Sequence, residues 1–156
     1  PGPISLPQGE ALMTSAPAFA DFDRDGHLDI VNGNYYLGIL TRTPIENAVD
    51  HWIGNNNMNF EARELTGIPG QTHTTLASDF NGDGTIDLMV GNDYAVPDTY
   101  YLGTAKGGFR KIQKQDGVIP ITTQNTMSMD TADYNNDLRP DLYLANIGMS
   151  RGLDVV

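Results

Sequence analysis

DFNGDGTIDL, residues 79–88, sets three Asp and one Asn among ten residues, with apolar side chains between them. Carboxylates confined to one short loop repel each other more than they do in an unfolded chain, so a fold that keeps them there must offset that cost. Two other stretches have the same form: DFDRDGHLDI at 21–30 and DYNNDLRPDL at 133–142, starting 58 residues before and 54 residues after it. Each is preceded by a small and apolar run (APAFA, TTLAS, MDTA) and followed by another (VNGN, MVGN, YLAN). A motif that recurs together with its flanks marks a structural repeat.

The repeat extends downstream. HWIGNNNMNFEARELTGI (51–68) aligns with YYLGTAKGGFRKIQKQDGV (100–118) through Trp52 and Tyr101, Gly54 and Gly103, Phe60 and Phe109. One unit spans about fifty residues, giving expected units at about 14–70, 71–120 and an incomplete 121–156. The first is longer because YYLGILTRTPIENAV (35–49) stands where the second has DYAVPDT (93–99). The apolar segments are short, rich in Ile, Leu, Val, Tyr and Phe, and bounded by Gly, Asn, Asp and Pro, which is a strand-and-turn pattern; no long helical periodicity competes with it. Each unit reads as four strands: one into the Asp loop, one out of it, one around Trp52 or Tyr101, and one starting at Phe60 or Phe109. GNNNMNF and GTAKGGF read as hairpin turns. Four antiparallel strands at this period predict an all-β chain, a partial β-propeller of about three four-stranded blades with Ca-binding loops. Propellers close with roughly 4 to 8 blades, so residues 1–156 are expected to be a fragment of one propeller.

Counting the first Asp of each loop as position 1, oxygen-bearing side chains stand at 1, 3, 5 and 9. Alternate positions in a tight loop point to one centre. The first loop offers Asp21, Asp23, Asp25 and Asp29 with the His27 carbonyl; the second offers Asp79, Asn81, Asp83 and Asp87 with the Thr85 carbonyl. The third offers Asp133, Asn135, Asp137 and Asp141, with Arg139 in the place of His27 and Thr85. An all-oxygen set suits Ca²⁺, which accepts six to eight ligands at flexible angles, better than Mg²⁺. Asn at position 3 keeps an oxygen and removes a charge, so the second loop is expected to bind more weakly than the first. In the third loop Leu138 replaces Gly at position 6, where a left-handed backbone costs a non-Gly residue about 1 kcal/mol or more, and Pro140 stiffens the chain. Two occupied loops are expected, with the third departing from the pattern. Asp and Asn with Gly also make ordinary turns; three copies with carboxylates at 1, 5 and 9 and an aromatic at 2 (Phe22, Phe80, Tyr134) favour metal, with the aromatic pinning the loop to the core. An EF-hand is excluded, because position 12 is Asn32, Val90 or Leu144 rather than Glu and the flanks are strands.

Nine basic against twenty acidic residues, sixteen of them Asp, give a net charge of -11. That argues against a nucleic-acid partner, which needs clustered Lys and Arg, and against an anionic membrane surface; no nucleic-acid partner is expected. There is no Cys, hence no disulfide, thiol nucleophile or Cys-zinc site. No apolar run reaches the length of a membrane span, so no membrane insertion is expected.

The three loops with their outgoing strands, DFDRDGHLDIVNGN, DFNGDGTIDLMVGN and DYNNDLRPDLYLAN, resemble the repeats called FG-GAP or VCBS, found in the propeller of integrin α-subunits and in many secreted or surface bacterial proteins. TMSMDTADYNNDLRPDLYLANI is particularly similar to repeats of proteins that carry an ASPIC/UnbV module. The resemblance implies a propeller, usually seven-bladed, with Ca²⁺ in the loops joining the first two strands of a blade. It also implies a range of activities, among them adhesion, carbohydrate binding and scaffolding, with occasional lyases and lipid hydrolases.

Nothing in the chain reads as an active site: His27, His51 and His73 are widely spaced, and no nucleophile elbow or phosphate loop is present. Trp52 and Tyr101 are expected to pack between blades, while Tyr35 and Tyr36 are expected to be exposed. The expected function is a non-enzymatic calcium-binding module for binding, adhesion or assembly, located extracellularly, on the cell surface or in the periplasm. Its partners would be a protein or carbohydrate ligand, or other copies of itself. The alternative is the non-catalytic portion of a secreted polysaccharide lyase or hydrolase.

Overall fold

The computed structural model describes residues 13–35, 51–56, 59–65, 71–94, 96–118 and 123–147. Among the described residues ten strands form three antiparallel sheets. The first contains β1 (Met13–Ala20), β2 (Asp29–Tyr35), β3 (His51–Asn56) and β4 (Asn59–Glu64) in that order. The second contains β5 (Thr72–Ser78), β6 (Asp87–Asn92), β7 (Thr99–Gly103) and β8 (Phe109–Lys111) in that order, and the third pairs β9 (Thr126–Ala132) with β10 (Asp141–Asn146). The chain is therefore all-β, and none of these sheets closes on itself. Among the described residues the helical structure is a single 3₁₀ turn at Lys114–Asp116, and no helix is long and apolar enough to cross a membrane.

The strands fall where the repeat places them. Trp52 lies in β3 and Tyr101 in β7, while Phe60 and Phe109 lie in β4 and β8. The turn between β7 and β8 is closed by the Thr104 N–H donating to the Gly108 carbonyl at 3.0 Å, with Gly107 and Gly108 at φ 78° and 90°. In the first sheet Asn56 pairs with Asn59; the tip of that turn, like residues 36–50, lies outside the described residues.

The second sheet is sandwiched between the other two, and the period of a strand explains how. Leu88 and Val90 of β6 face a core shared with the first sheet, which holds Phe22, Val31, Leu65 and Tyr101. Met89, between them, faces a second core with Tyr100 and Met129, backed by Phe80, Leu142 and Leu144. Buried on both faces, β6 reads as a continuous apolar run rather than an alternating one. The first strands of neighbouring sheets also touch: Thr75 Oγ1 donates to the Ala16 carbonyl at 3.0 Å, and Ser15 Oγ donates to the Thr72 carbonyl.

One register recurs in all three sheets. Thr14 pairs with Asn34, Thr72 with Asn92 and Thr126 with Asn146, each beside an irregularity in the pairing. Next to these Asn residues stand Gly33, Gly91 and Ala145. A Cβ on Gly33 would come within 2.5 Å of Thr72 Cγ2, and one on Gly91 within 2.7 Å of Thr74 Cγ2 and 3.0 Å of Thr126 Cγ2. Thr74 is the cross-strand neighbour of Gly91 in its own sheet, whereas Thr72 and Thr126 each come from the following sheet, so these glycines are notches into which that sheet sets a methyl group.

Two aromatic residues lie in environments other than those expected from the sequence. Tyr35 is buried, not exposed: its ring centroid lies 4.9 Å from that of His73, and its hydroxyl is 3.4 Å from Asp93 Oδ2. Position 2 pins only the first two loops. Phe22 is 2% exposed and meets Phe109 edge-on at 5.0 Å, whereas Tyr134 is 56% exposed. The second sheet covers Phe22 and the third backs Phe80; no described residue plays that part for Tyr134. Tyr101 packs between sheets as expected, while Tyr36 and the side chain of Trp52 lie outside the described residues.

Candidate metal centre

The three Asp loops join β1 to β2, β5 to β6 and β9 to β10, and they share one hydrogen-bond ladder. At position 1, Asp21 accepts the N–H groups of Asp25 (3.1 Å) and Gly26 (3.0 Å), and Asp133 those of Asp137 and Leu138 (both 2.9 Å). Asp79 accepts those of Gly82, Asp83 and Gly84 at 2.8, 3.1 and 2.8 Å. At position 3, Asp23, Asn81 and Asn135 accept the N–H of position 5 at 3.2, 2.9 and 2.8 Å. At position 5, Asp25, Asp83 and Asp137 accept the N–H of His27, Thr85 and Arg139 at 2.8, 2.8 and 2.9 Å. At position 9, Asp29, Asp87 and Asp141 accept the N–H of Phe22, Phe80 and Tyr134, each at 2.9 Å.

This ladder fixes the loop backbone. Position 6 is left-handed in every copy, as expected: Gly26, Gly84 and Leu138 have φ of 89°, 81° and 68°. Leu138 therefore bears the strain that the glycines avoid, with its side chain 94% exposed. Position 4 is left-handed as well, at Arg24 (φ 64°), Gly82 (72°) and Asn136 (61°). Sequence reasoning missed this position, although Gly82 and Asn136 are residue types that tolerate it.

In the second loop the position-9 Asp is also a staple. Asp87 is fully buried, and its second oxygen accepts the Gly103 N–H of β7 at 2.8 Å. Gly103 must be glycine, because a Cβ there would lie 2.3 Å from the Ile86 carbonyl oxygen.

Carboxylate oxygens of Asp21, Asp23 and Asp29 lie within 4.8 Å of one another. Asp25 does not belong to that group. In the other two loops Asn81 and Asn135 occupy position 3, and their amide nitrogens donate to Asp83 and Asp137 at 3.0 and 3.2 Å. The N–H groups of His27, Thr85 and Arg139 are taken by the Asp at position 5, which leaves their carbonyls as the position-7 lone pairs.

Backbone N–H dipoles account for the loop shape without an ion, but they offset only part of the charge. Burial pushes the Asp87 carboxyl up, hydrogen bonds from Gly103 and Phe80 oppose this, and the nearby Asp83 and Asp79 carboxylates add to it. Asp83 is held low by the Thr85 hydroxyl and N–H and by Asn81, with a smaller contribution from the Arg24 guanidinium. In the first loop each oxygen of Asp21 accepts one of these N–H groups and Asp23 accepts one in all, which leaves lone pairs on both side chains for a further partner. The donor set of the first loop, three converging carboxylates in a preformed all-oxygen loop, fits a hard divalent cation.

Away from the loops, His73 Nε2 lies 3.3 Å from Asp93 Oδ2, the same oxygen that Tyr35 reaches. Burial, with Asp93 and Tyr94 nearby, pushes the Tyr35 hydroxyl up to about 12. His73 thus forms a junction between the first two sheets. The His27 ring is on the exposed part of its loop, and the side chain of His51 lies outside the described residues.

Successive antiparallel sheets, each opened by the same Asp/Asn loop between its first and second strands, define a repeat protein of all-β architecture. Residues 79–144 match the family described as the FG-GAP-like repeat. The match runs from the first Asp of the second loop into β10, one full period from loop to loop. It carries no information about ASPIC/UnbV modules. No curated protein matches the chain.

Proposed function

We propose that the chain is a calcium-stabilised binding or assembly module, non-catalytic and placed outside the cytosol, whose sheets are blades of a propeller. The observation that carries this reading is the recurrence of one loop, with one ladder, at the same strand junction in three sheets, together with the converging Asp21, Asp23 and Asp29. Residues 79–144 match the FG-GAP-like repeat, a resemblance that implies binding and adhesion among its roles, and this supports the same reading. Ca²⁺ would be held by the side chains at positions 1, 3, 5 and 9 and the carbonyl at 7. When bound it supplies charge neutralisation. The protein's own contribution is to prearrange the oxygens on backbone N–H groups and to tie the loop to the third strand through position 9. Extracellular calcium modules work at affinities of about 10⁻⁴ to 10⁻³ M, a range suited to loops this exposed. The partner would be a protein or carbohydrate ligand, or further copies of the chain.

EGTA in metal-depleted buffer should lower the melting temperature by several degrees, and Ca²⁺ but not equimolar Mg²⁺ should restore it. An unchanged melting curve in EGTA refutes the calcium reading.

A further inference from the structure

We propose that Arg24 is a tethered counter-cation of the neighbouring loop: carried by the first loop, it sits over the second, supports its shape when metal-free and weakens its hold on a dication. Three consecutive residues of the first loop are gripped by the second sheet. Phe22 meets Phe109 at 5.0 Å; Asp23 abuts the β7–β8 turn, where a Cβ on Gly107 would fall 2.6 Å from Asp23 Cβ; and Arg24 Nη2 donates to the Gly84 carbonyl. This docking fixes where the Arg24 side chain starts, with its backbone already left-handed. Gly84 admits the guanidinium closely, since a Cβ there would lie 3.3 Å from Arg24 Nη2. The carbonyl it reaches is flanked by Asp83 and Thr85, both of them candidate ligand positions.

The arrangement is specific to this pair of loops. Position 4 is Gly82 in the second loop and Asn136 in the third, so neither sends a charge to a neighbour. The second loop holds Asp79, Asp83 and Asp87 and supplies no cation of its own. Arg24 touches the Gly84 carbonyl rather than a carboxylate, so its charge acts through space: it eases the repulsion around Asp83, and a dication arriving among these carboxylates meets it as a repulsive neighbour. At near-surface dielectric and moderate salt this competition corresponds to roughly a three- to tenfold loss of affinity.

The part of the proposal concerning a dication rests on the calcium reading above; the metal-free part does not. In the full chain with the first loop silenced by Asp21→Asn and Asp23→Asn, calorimetric Ca²⁺ titration should show Arg24→Gln binding roughly three- to tenfold more tightly. Arg24→Lys should stay near the parent, and the difference should shrink in concentrated KCl. In EDTA, an unfolding double-mutant cycle between Arg24→Gln and Asp83→Asn should be non-additive in the favourable sense. Unchanged or weaker Ca²⁺ binding by Arg24→Gln overturns the competition, and an additive cycle overturns the support. A parent chain that takes up no Ca²⁺ refutes the calcium reading of the second loop, and the metal-free cycle then decides the role of Arg24 alone.

Discussion

Asp87→Ala separates the two parts assigned to position 9, staple and ion ligand. The native carboxylate accepts the Phe80 N–H at 2.9 Å and the Gly103 N–H at 2.8 Å in a fully buried setting. Removing it strands two backbone donors, at about 1–3 kcal/mol each. Part of that loss is returned, because the same change removes a buried charge that Asp83 and Asp79 repel. The net expectation in EGTA is a loss of about 2–4 kcal/mol, or very roughly 4–16 °C in melting temperature for a chain of this size. Urea unfolding followed by circular dichroism measures it, with the slope checked for constancy so that a change in midpoint reports stability. Asp87→Asn keeps one acceptor and removes the charge, so in EGTA it should cost less than Ala, and in saturating Ca²⁺ its deficit should widen. If Asp87→Ala falls within 1 kcal/mol of the parent in EGTA, the staple is not what holds the second loop to β7.

Leu138→Gly should stabilise the third loop by about 1 kcal/mol, because Leu138 sits at φ 68° with its side chain in solvent. Gly26→Ala, where nothing lies within 4 Å of the new Cβ, should cost a similar amount through conformation alone; thermal melts of both variants check the pair. Tyr35 has a raised folded-state value, so its contribution is fully present below about pH 10 and is lost as pH rises through about 12. Alkaline unfolding should therefore steepen above pH 10, by at most about 1.4 kcal/mol per pH unit. Tyr35→Phe should flatten that limb; an identical limb in the variant refutes the assignment.

Strand order and loop placement were legible because the Asp loop recurs with its flanks, and a repeat displays its own punctuation. What escaped were contacts between units. Tyr35 precedes the longer connection of the first unit and so reads as a loop aromatic; its partners, His73 and Asp93, lie in the next sheet. The left-handed backbone at position 4 is suggested by Gly82 and Asn136 but masked by Arg24, whose reason for being there is the Gly84 carbonyl sixty residues away. The partner of Asp87 on β7 is a backbone N–H, which no side-chain pattern reveals. Tyr134 carries the same residue class as Phe22 and Phe80, yet its burial depends on what lies against the sheet rather than on its own loop.

The glycine notches give the array a direction. Gly33 is shaped for Thr72 and Gly91 for Thr126, each a residue of the following sheet, so each sheet finishes its surface only when its successor arrives. On a ribosome, where sheets emerge in that same order, the newest unit would dock onto a seat already formed behind it. A transplanted unit would have to bring both parts of the joint, the methyl that enters and the hollow that receives. Duplication or loss of material within such an array is thus expected to be tolerated in whole periods, because a whole period keeps each notch facing a methyl, whereas a cut between the two exposes both.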